Sequence, residues 1–165
     1  MNESGQIELL QSIPIFGGMK AENLAFMLQN AARHAFRQGE FLCREGEPAD
    51  EFYILETGSV AILKQWEDQD YLLRRLGPGD CLGEMALIDY FPRSASAVAE
   101  TECQALTLTA ETLRGLYHKD LEQFALIQMN IARELSRRLR HASELLFQNR
   151  TLARIGENGV LYSSL

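Results

Sequence analysis

The sequence predicts an α+β protein: a body of short antiparallel strands, preceded by helix and followed by one long amphipathic helix. Three observations carry this. Apolar residues recur at helical spacing near the start and again beyond residue 110. Between about residues 35 and 109, short β-branched, aromatic and aliphatic stretches alternate with turn signals. The chain of 165 residues, 46% hydrophobic, is long and apolar enough for one domain with a real core.

The elements follow in order. Leu24, Met27, Leu28 and Ala31, within KAENLAFMLQNAA, lie at i, i+3, i+4 and i+7 and form one face of a short helix. Pro14 and Gly17–Gly18 break the chain before it. The strand stretches EFYIL, SVAILKQW, YLLRRL and ASAVA are separated by REGEPAD, ETGS, EDQD and GPGD. Turn signals this regular predict a barrel, sandwich or jelly-roll-like body. TAETLRGLYHKD is expected to form a short helix capped by Thr109.

A long helix is expected from Leu121 to about Asn149. Its stripe runs Phe124, Ile127, Ile131, Leu135, Leu139, Ala142 and Leu146, while Arg133, Arg137 and Arg140 point elsewhere. The stripe is longer than one side of a small β body needs, so part is available for a second chain or for something held between helix and body. Residues 1–150 are expected to form a single domain. TLARIGENGVLYSSL, residues 151–165, reads as a flexible tail.

Charge and motif content narrow the function. A net charge of −7 opposes non-specific nucleic-acid binding, which draws on phosphate neutralisation. MNESGQIELL lacks the features of a signal peptide, and no apolar run approaches membrane-spanning length. Cys43, Cys81 and Cys103 form no CxxC pair and suit free thiols in a cytoplasmic protein, packed as small hydrophobes. His34, His118 and His141 are scattered, so no metal site is expected. There is no P-loop or nucleophile elbow, and the chain is not expected to be an enzyme or to hold a cofactor.

The stretch GEMALIDYFPRSASAV, residues 83–98, concentrates the remaining chemistry. Gly83 allows close backbone approach. EMALIDY can make two helical turns, whose first N–H groups, at Met85 and Ala86, attract an anion. Pro92 ends that helix, and Arg93 offers a fixed, always-charged fork suited to phosphate. Ser94 adds a hydroxyl, and Ala95 and Ala97 leave room. A carboxylate at Glu84 repels phosphate but accepts hydrogen bonds from a hydroxyl on the same molecule. The pattern asks for an anion and a hydroxyl on one ligand, as in a sugar phosphate. The competing reading is that Glu84 and Arg93 pair with each other at the surface.

LGEMALIDYFPRSASAVA resembles the phosphate-binding cassette of the cyclic-nucleotide-binding domain family, which includes catabolite activator proteins and regulatory subunits of cyclic-nucleotide-dependent kinases. GEPADEFYILETGSVAILK, with Gly46 and Gly58, and GPGDCLGEMAL extend the resemblance across residues 10 to about 149. It implies an eight-stranded antiparallel β-roll holding a cyclic nucleotide. Glu84 would accept from the ribose 2′-hydroxyl. Arg93, Ser94 and the backbone N–H groups of Met85 and Ala86 would hold the cyclic phosphate, with Gly83 permitting the approach.

On the long helix, SRRLRHASELL is similar to the region where activators carry a Thr–Ser pair that touches the purine, the Ser from the partner subunit. Here Ala142 replaces the Thr and Ser143 remains; alternatively Ser143 bonds its own preceding turn. Arg138 is a further candidate for the base, or else solvated charge. The resemblance implies cAMP as ligand, with cGMP possible. Activators continue into a helix-turn-helix domain, and the residues after Arg150 are too few for one, so no DNA binding is expected. The expected function is a stand-alone cyclic-nucleotide receptor that signals through its C-terminal helix, as a homodimer through that helix and to a further protein, with no membrane role. The alternative is a dimerisation or scaffold protein with a non-functional pocket.

Overall fold

The computed structural model describes residues 3–157. Two helices open the chain, α1 (Glu3–Ser12) and α2 (Ala21–Gln29), with a 3-10 turn at Pro14–Phe16 between them. Eight strands follow: β1 (Ala32–Phe36), β2 (Phe41–Cys43), β3 (Glu51–Thr57), β4 (Val60–Trp66), β5 (Gln69–Leu76), β6 (Cys81–Leu82), β7 (Ser96–Ala99) and β8 (Cys103–Thr109). A short α3 (Ala86–Asp89) lies between β6 and β7, and α4 (Ala110–Lys119) and α5 (Leu121–Glu157) close the chain. The strands form two four-stranded antiparallel sheets, ordered β1-β8-β3-β6 and β2-β7-β4-β5. This is the expected β-roll.

β3 shows why the chain folds in layers. Its residues Phe52 to Leu55 are all buried, and successive side chains point to opposite faces. Phe52 and Ile54 pack with Leu24, Met27, Leu113, Leu116 and Ile127 beneath the helices. Tyr53 and Leu55 turn into the roll, against Leu42, Val60, Leu76, Leu82 and Ala105. The first sheet is therefore covered on both sides, and a continuous apolar run is what that position demands. The EDQD turn between β4 and β5 places Glu67 and Asp68 at φ of 49° and 60°, the left-handed pair a tight hairpin needs.

α2 ends at Gln29, so Ala31 lies beyond the helix rather than completing its apolar face. Thr109 caps α4 as expected, its Oγ1 accepting from the Thr112 N–H at 3.3 Å. α5 is anchored near its start, where Asn130 donates from Nδ2 to the carbonyls of Ile15 and Gly17 at 3.1 and 2.9 Å. Ile127 and Ile131 are fully buried, whereas Leu139 and Leu146 stand in solvent.

α5 also runs past the expected end near Asn149 to Glu157, overtaking part of the segment expected as a tail. No Pro or Gly interrupts it before Gly156. Residues 158–165 lie outside the described residues. Among the described residues no helix is long and apolar enough to cross a membrane.

Candidate functional site

The site is built where β6 runs out. Gly83, at φ 87°, turns the chain, and Glu84 and Met85 lead into α3, with the Leu87 N–H bonded to the Glu84 carbonyl at 3.2 Å. α3 is a single turn, not the two expected. Tyr90 adopts φ 56°, which no α-helix continues through, and the Asp89 side chain accepts from the Phe91 N–H at 3.0 Å. Pro92 then feeds the chain toward β7 in extended form.

Arg93 is fixed on every side. Its carbonyl accepts from the Gly46 N–H and its own N–H donates to the Glu47 carbonyl, both at 2.9 Å. Its Nη1 donates to the Glu51 carbonyl at 2.9 Å, its Nη2 lies 4.0 Å from the Glu51 carboxylate, and its guanidinium carbon stands 5.5 Å from the Tyr53 ring centre. Tyr53 donates its hydroxyl to the Glu51 carboxylate at 2.6 Å, beside the Leu42 carbonyl at 3.0 Å. Burial, followed by that bond to Glu51, raises the Tyr53 pKa well above the usual phenol range. Arg93 is only 7% exposed. A Cβ at Gly83 would sit 2.2 Å from Arg93 Nη1, so the room gained by having no side chain there is occupied by the arginine.

Glu84 is 2% exposed, and its ion-pair partner is not Arg93. Arg138 reaches down from α5 and donates from Nη1 to Glu84 Oε1, while its Nε donates to Glu134 at 3.1 Å. The guanidinium expected at the base therefore sits on the carboxylate expected at the ribose. A cavity of about 180 Å³ opens between these groups. Gly83, Glu84, Met85, Arg93, Ser94, Ala95 and Arg138 all line it. Ala86 follows directly as the first residue of α3. Ser143 is exposed on α5 and is not in the cavity wall, so a role for it at the base requires a second chain.

Sequence reasoning missed several contributors. Glu51 acts through a backbone carbonyl, for which a sequence carries no signal. Arg74 lines the cavity from β5, and alternation with Leu76 would have placed both on one face once that face was known. Cys43 and Cys81 also line the wall, and burial followed by the Glu84 carboxylate pushes the Cys81 thiol up to about 12. Cys81 and Cys103 are the small buried residues expected, and Cys43 is half-buried. Among the described residues no cluster of His, Cys, Asp and Glu could hold a metal ion.

A two-sheet roll with a buried carboxylate and a buried arginine in one cavity, closed on one side by a helix, defines a ligand-binding β-roll module. The chain belongs to the cyclic nucleotide-binding domain family, whose model matches residues 33–120. A CRP-like cAMP-activated global transcriptional regulator of Mycobacterium tuberculosis is 32% identical over 140 residues, 84% of this chain and 61% of that protein. A cAMP-dependent protein kinase regulatory subunit of Emericella nidulans is 30% identical over 107 residues, 65% of this chain and 26% of that protein. The crystal structure of the Thermus thermophilus catabolite activator protein superposes with a TM-score of 0.74 at 29% identity, covering 88% of this chain and 72% of that one. This chain thus spans only part of the length of its curated relatives.

Proposed function

We propose that this chain is a regulatory module that binds cAMP, or cGMP, in the β-roll cavity and signals by moving α5. The observation that carries this is the Arg138–Glu84 pair. A carboxylate with 2% exposure, set to accept a ribose hydroxyl, is also the point at which the long helix is attached to the roll. A ligand hydroxyl arriving at Glu84 bears directly on the group that holds α5, and differential affinity for two α5 positions is what a ligand needs to shift them. Arg93, presented by Glu51, supplies the charge for the cyclic phosphate, with Ser94 and the N–H groups of Met85 and Ala86 beside it. The cAMP-linked names of the relatives favour cAMP. A binding module in the cytoplasm, dimeric through α5 and acting on a further protein rather than catalysing a reaction, completes the reading.

Titration of nucleotide-stripped protein with cAMP and cGMP by calorimetry tests it, with Arg93→Ala alongside. Micromolar or tighter binding is expected, weakened in the variant by at least the ~1.5 to 3 kcal/mol of a charged hydrogen bond. One observation favours the alternative of a scaffold with a non-functional pocket: Glu84 and Arg93 already have protein partners. Absence of heat with both nucleotides decides for it.

A further inference from the structure

Ser94 sits where the chain passes from Arg93 into β7, and its peptide is held from outside the cavity. The β4–β7 ladder ends at the pair Leu63 and Ser96, so no main-chain partner continues it to Ser94. Lys64, the next residue of β4, takes over with its side chain, Nζ donating to the Ser94 carbonyl at 2.8 Å. Among the described residues Ser94 makes no other hydrogen bond. Lys64 is itself held by the Glu45 carboxylate, which also accepts from the Gln65 N–H at 3.1 Å. The Glu45 N–H in turn donates to the Ser96 hydroxyl at 2.9 Å. The bond from Lys64, and then that from Gln65, hold the Glu45 carboxyl below the usual carboxylate range. Neither Lys64 nor Glu45 lines the cavity, whereas Ser94 and Ala95 do.

Resting on the cyclic-nucleotide reading above, we infer that Lys64 is a positioning residue for this pocket: held by Glu45 outside the cavity, it sets nucleotide affinity through the Ser94 carbonyl. The reason is the planarity of the peptide unit. The Ser94 carbonyl and the Ala95 N–H belong to one trans peptide and point in opposite directions. A carbonyl drawn out to Lys64 turns the Ala95 N–H away from Lys64, toward the side of the chain that lines the cavity. Among the described residues that N–H donates to nothing, so it is left for an anion beside Arg93. An ammonium on the carbonyl also polarises the peptide and makes its N–H a better donor. Arg93 is fixed by Gly46, Glu47 and Glu51, but the peptide that follows Ser94 has Lys64 alone to orient it.

The test is to titrate the full chain, wild type, Lys64→Met, Lys64→Arg and Glu45→Ala, with cAMP and cGMP by calorimetry. The Lys64 and Glu45 side chains are 47% and 29% exposed, and such pairs contribute little to folding, so all three variants are expected to keep the wild-type urea midpoint. Lys64→Met is expected to weaken the binding of either nucleotide by about 5- to 30-fold. Lys64→Arg keeps the charge and the N–H donors and should recover most of that loss. Glu45→Ala separates positioning from simple charge. It removes a negative charge near a bound phosphate, so attraction through space alone predicts tighter binding. Positioning predicts weaker binding, because Lys64 loses the carboxylate that holds it. Tighter binding by Glu45→Ala, or a Lys64→Arg no better than Lys64→Met, would overturn the inference. Failure of the wild type to bind either nucleotide overturns the cyclic-nucleotide reading and this inference with it. Wild-type binding that Lys64→Met leaves unaltered overturns the role of Lys64 alone.

Discussion

Arg138 and Glu84, 54 residues apart in sequence, are joined by a hydrogen-bonded ion pair that links the middle of α5 to the floor of the cavity. The Glu84 side chain is 2% exposed and that of Arg138 33%, so water reaches the cation but hardly the carboxylate. Glu134, one turn back on α5, steadies Arg138 from the other side. The pair is thus both a structural tie and part of the wall that a ligand meets.

Removing the cation should therefore cost stability. Arg138→Ala leaves a buried carboxylate without its charged donor, and a loss of about 1.5 to 3 kcal/mol is expected. Glu84→Gln should cost a similar amount, and the double variant less than the sum, because the second change removes an interaction already lost. Urea denaturation of the four proteins measures the coupling. Additive losses would show that the two side chains are not energetically linked in solution.

Gly83→Ala is expected to damage the site beyond its strain. The residue sits at φ 87°, where a side chain costs about 1 to 3 kcal/mol. The added Cβ would also come 2.2 Å from Arg93 Nη1 and 3.2 Å from the Glu51 carbonyl, the two partners of the bond that aims the guanidinium. Gly39→Ala is the control, since Gly39 has φ 84° but nothing within 4 Å of the position of its Cβ. Both variants should lose stability, but only Gly83→Ala should lose nucleotide affinity by the amount Arg93→Ala does. Equal affinities for the two would show that Arg93 relaxes around the methyl group.

The contrast between Gly83 and Glu51 shows what the sequence could disclose. A glycine before a carboxylate, with an arginine after the next proline, is visible in residue types alone, as is the alternation of apolar runs and turns that became eight strands. The helical period of Leu24 and Met27 was visible for the same reason, and both are buried. What orients Arg93 was not visible, because Glu51 contributes a main-chain carbonyl that any residue could supply. Nor was the partner of Glu84, since a pair across 54 residues leaves no local pattern. α5 extends to Glu157, beyond the end its stripe implies, because the apolar stripe fades before the backbone meets a residue that breaks a helix.

The thiol of Cys81 predicts a pH dependence. Burial, and then the neighbouring Glu84 carboxylate, push it up to about 12, whereas a thiol in the unfolded chain titrates near about 8.5. The folded state holds this proton more tightly than the unfolded state. The associated stability is present in full below about pH 8.5 and is lost as pH rises from there toward 12, at most about 1.4 kcal/mol per unit. Tyr53 and Cys43, also raised, act with the same sign. Urea midpoints of the reduced protein should fall from pH 8 to pH 10, and less steeply in Cys81→Ala. Parallel slopes for variant and wild type would assign the dependence to other groups.

The outer part of α5 is where a second chain is expected. Ile127 and Ile131 are fully buried on the roll, but Leu139 and Leu146, further along the same stripe, are 68% and 61% exposed. Ser143 lies between them at helical spacing and faces no part of its own cavity. An antiparallel or parallel partner helix laid on this row buries the leucines, and brings a serine from the other chain toward the roll. Leu139→Glu with Leu146→Glu is therefore expected to reduce the mass measured by light scattering from dimer to monomer. The unfolding free energy should stay within about 0.5 kcal/mol when compared at a concentration where the wild type is also dissociated, because the sites are exposed. Ile127→Ala, in the buried part of the helix, should instead cost about 2 to 5 kcal/mol. In a dimer that uses this row, Ser143→Ala weakens nucleotide binding and the double glutamate variant abolishes that sensitivity. A wild-type monomer at all concentrations would remove the second chain from the site, and leave α5 as a lever that acts on some other protein.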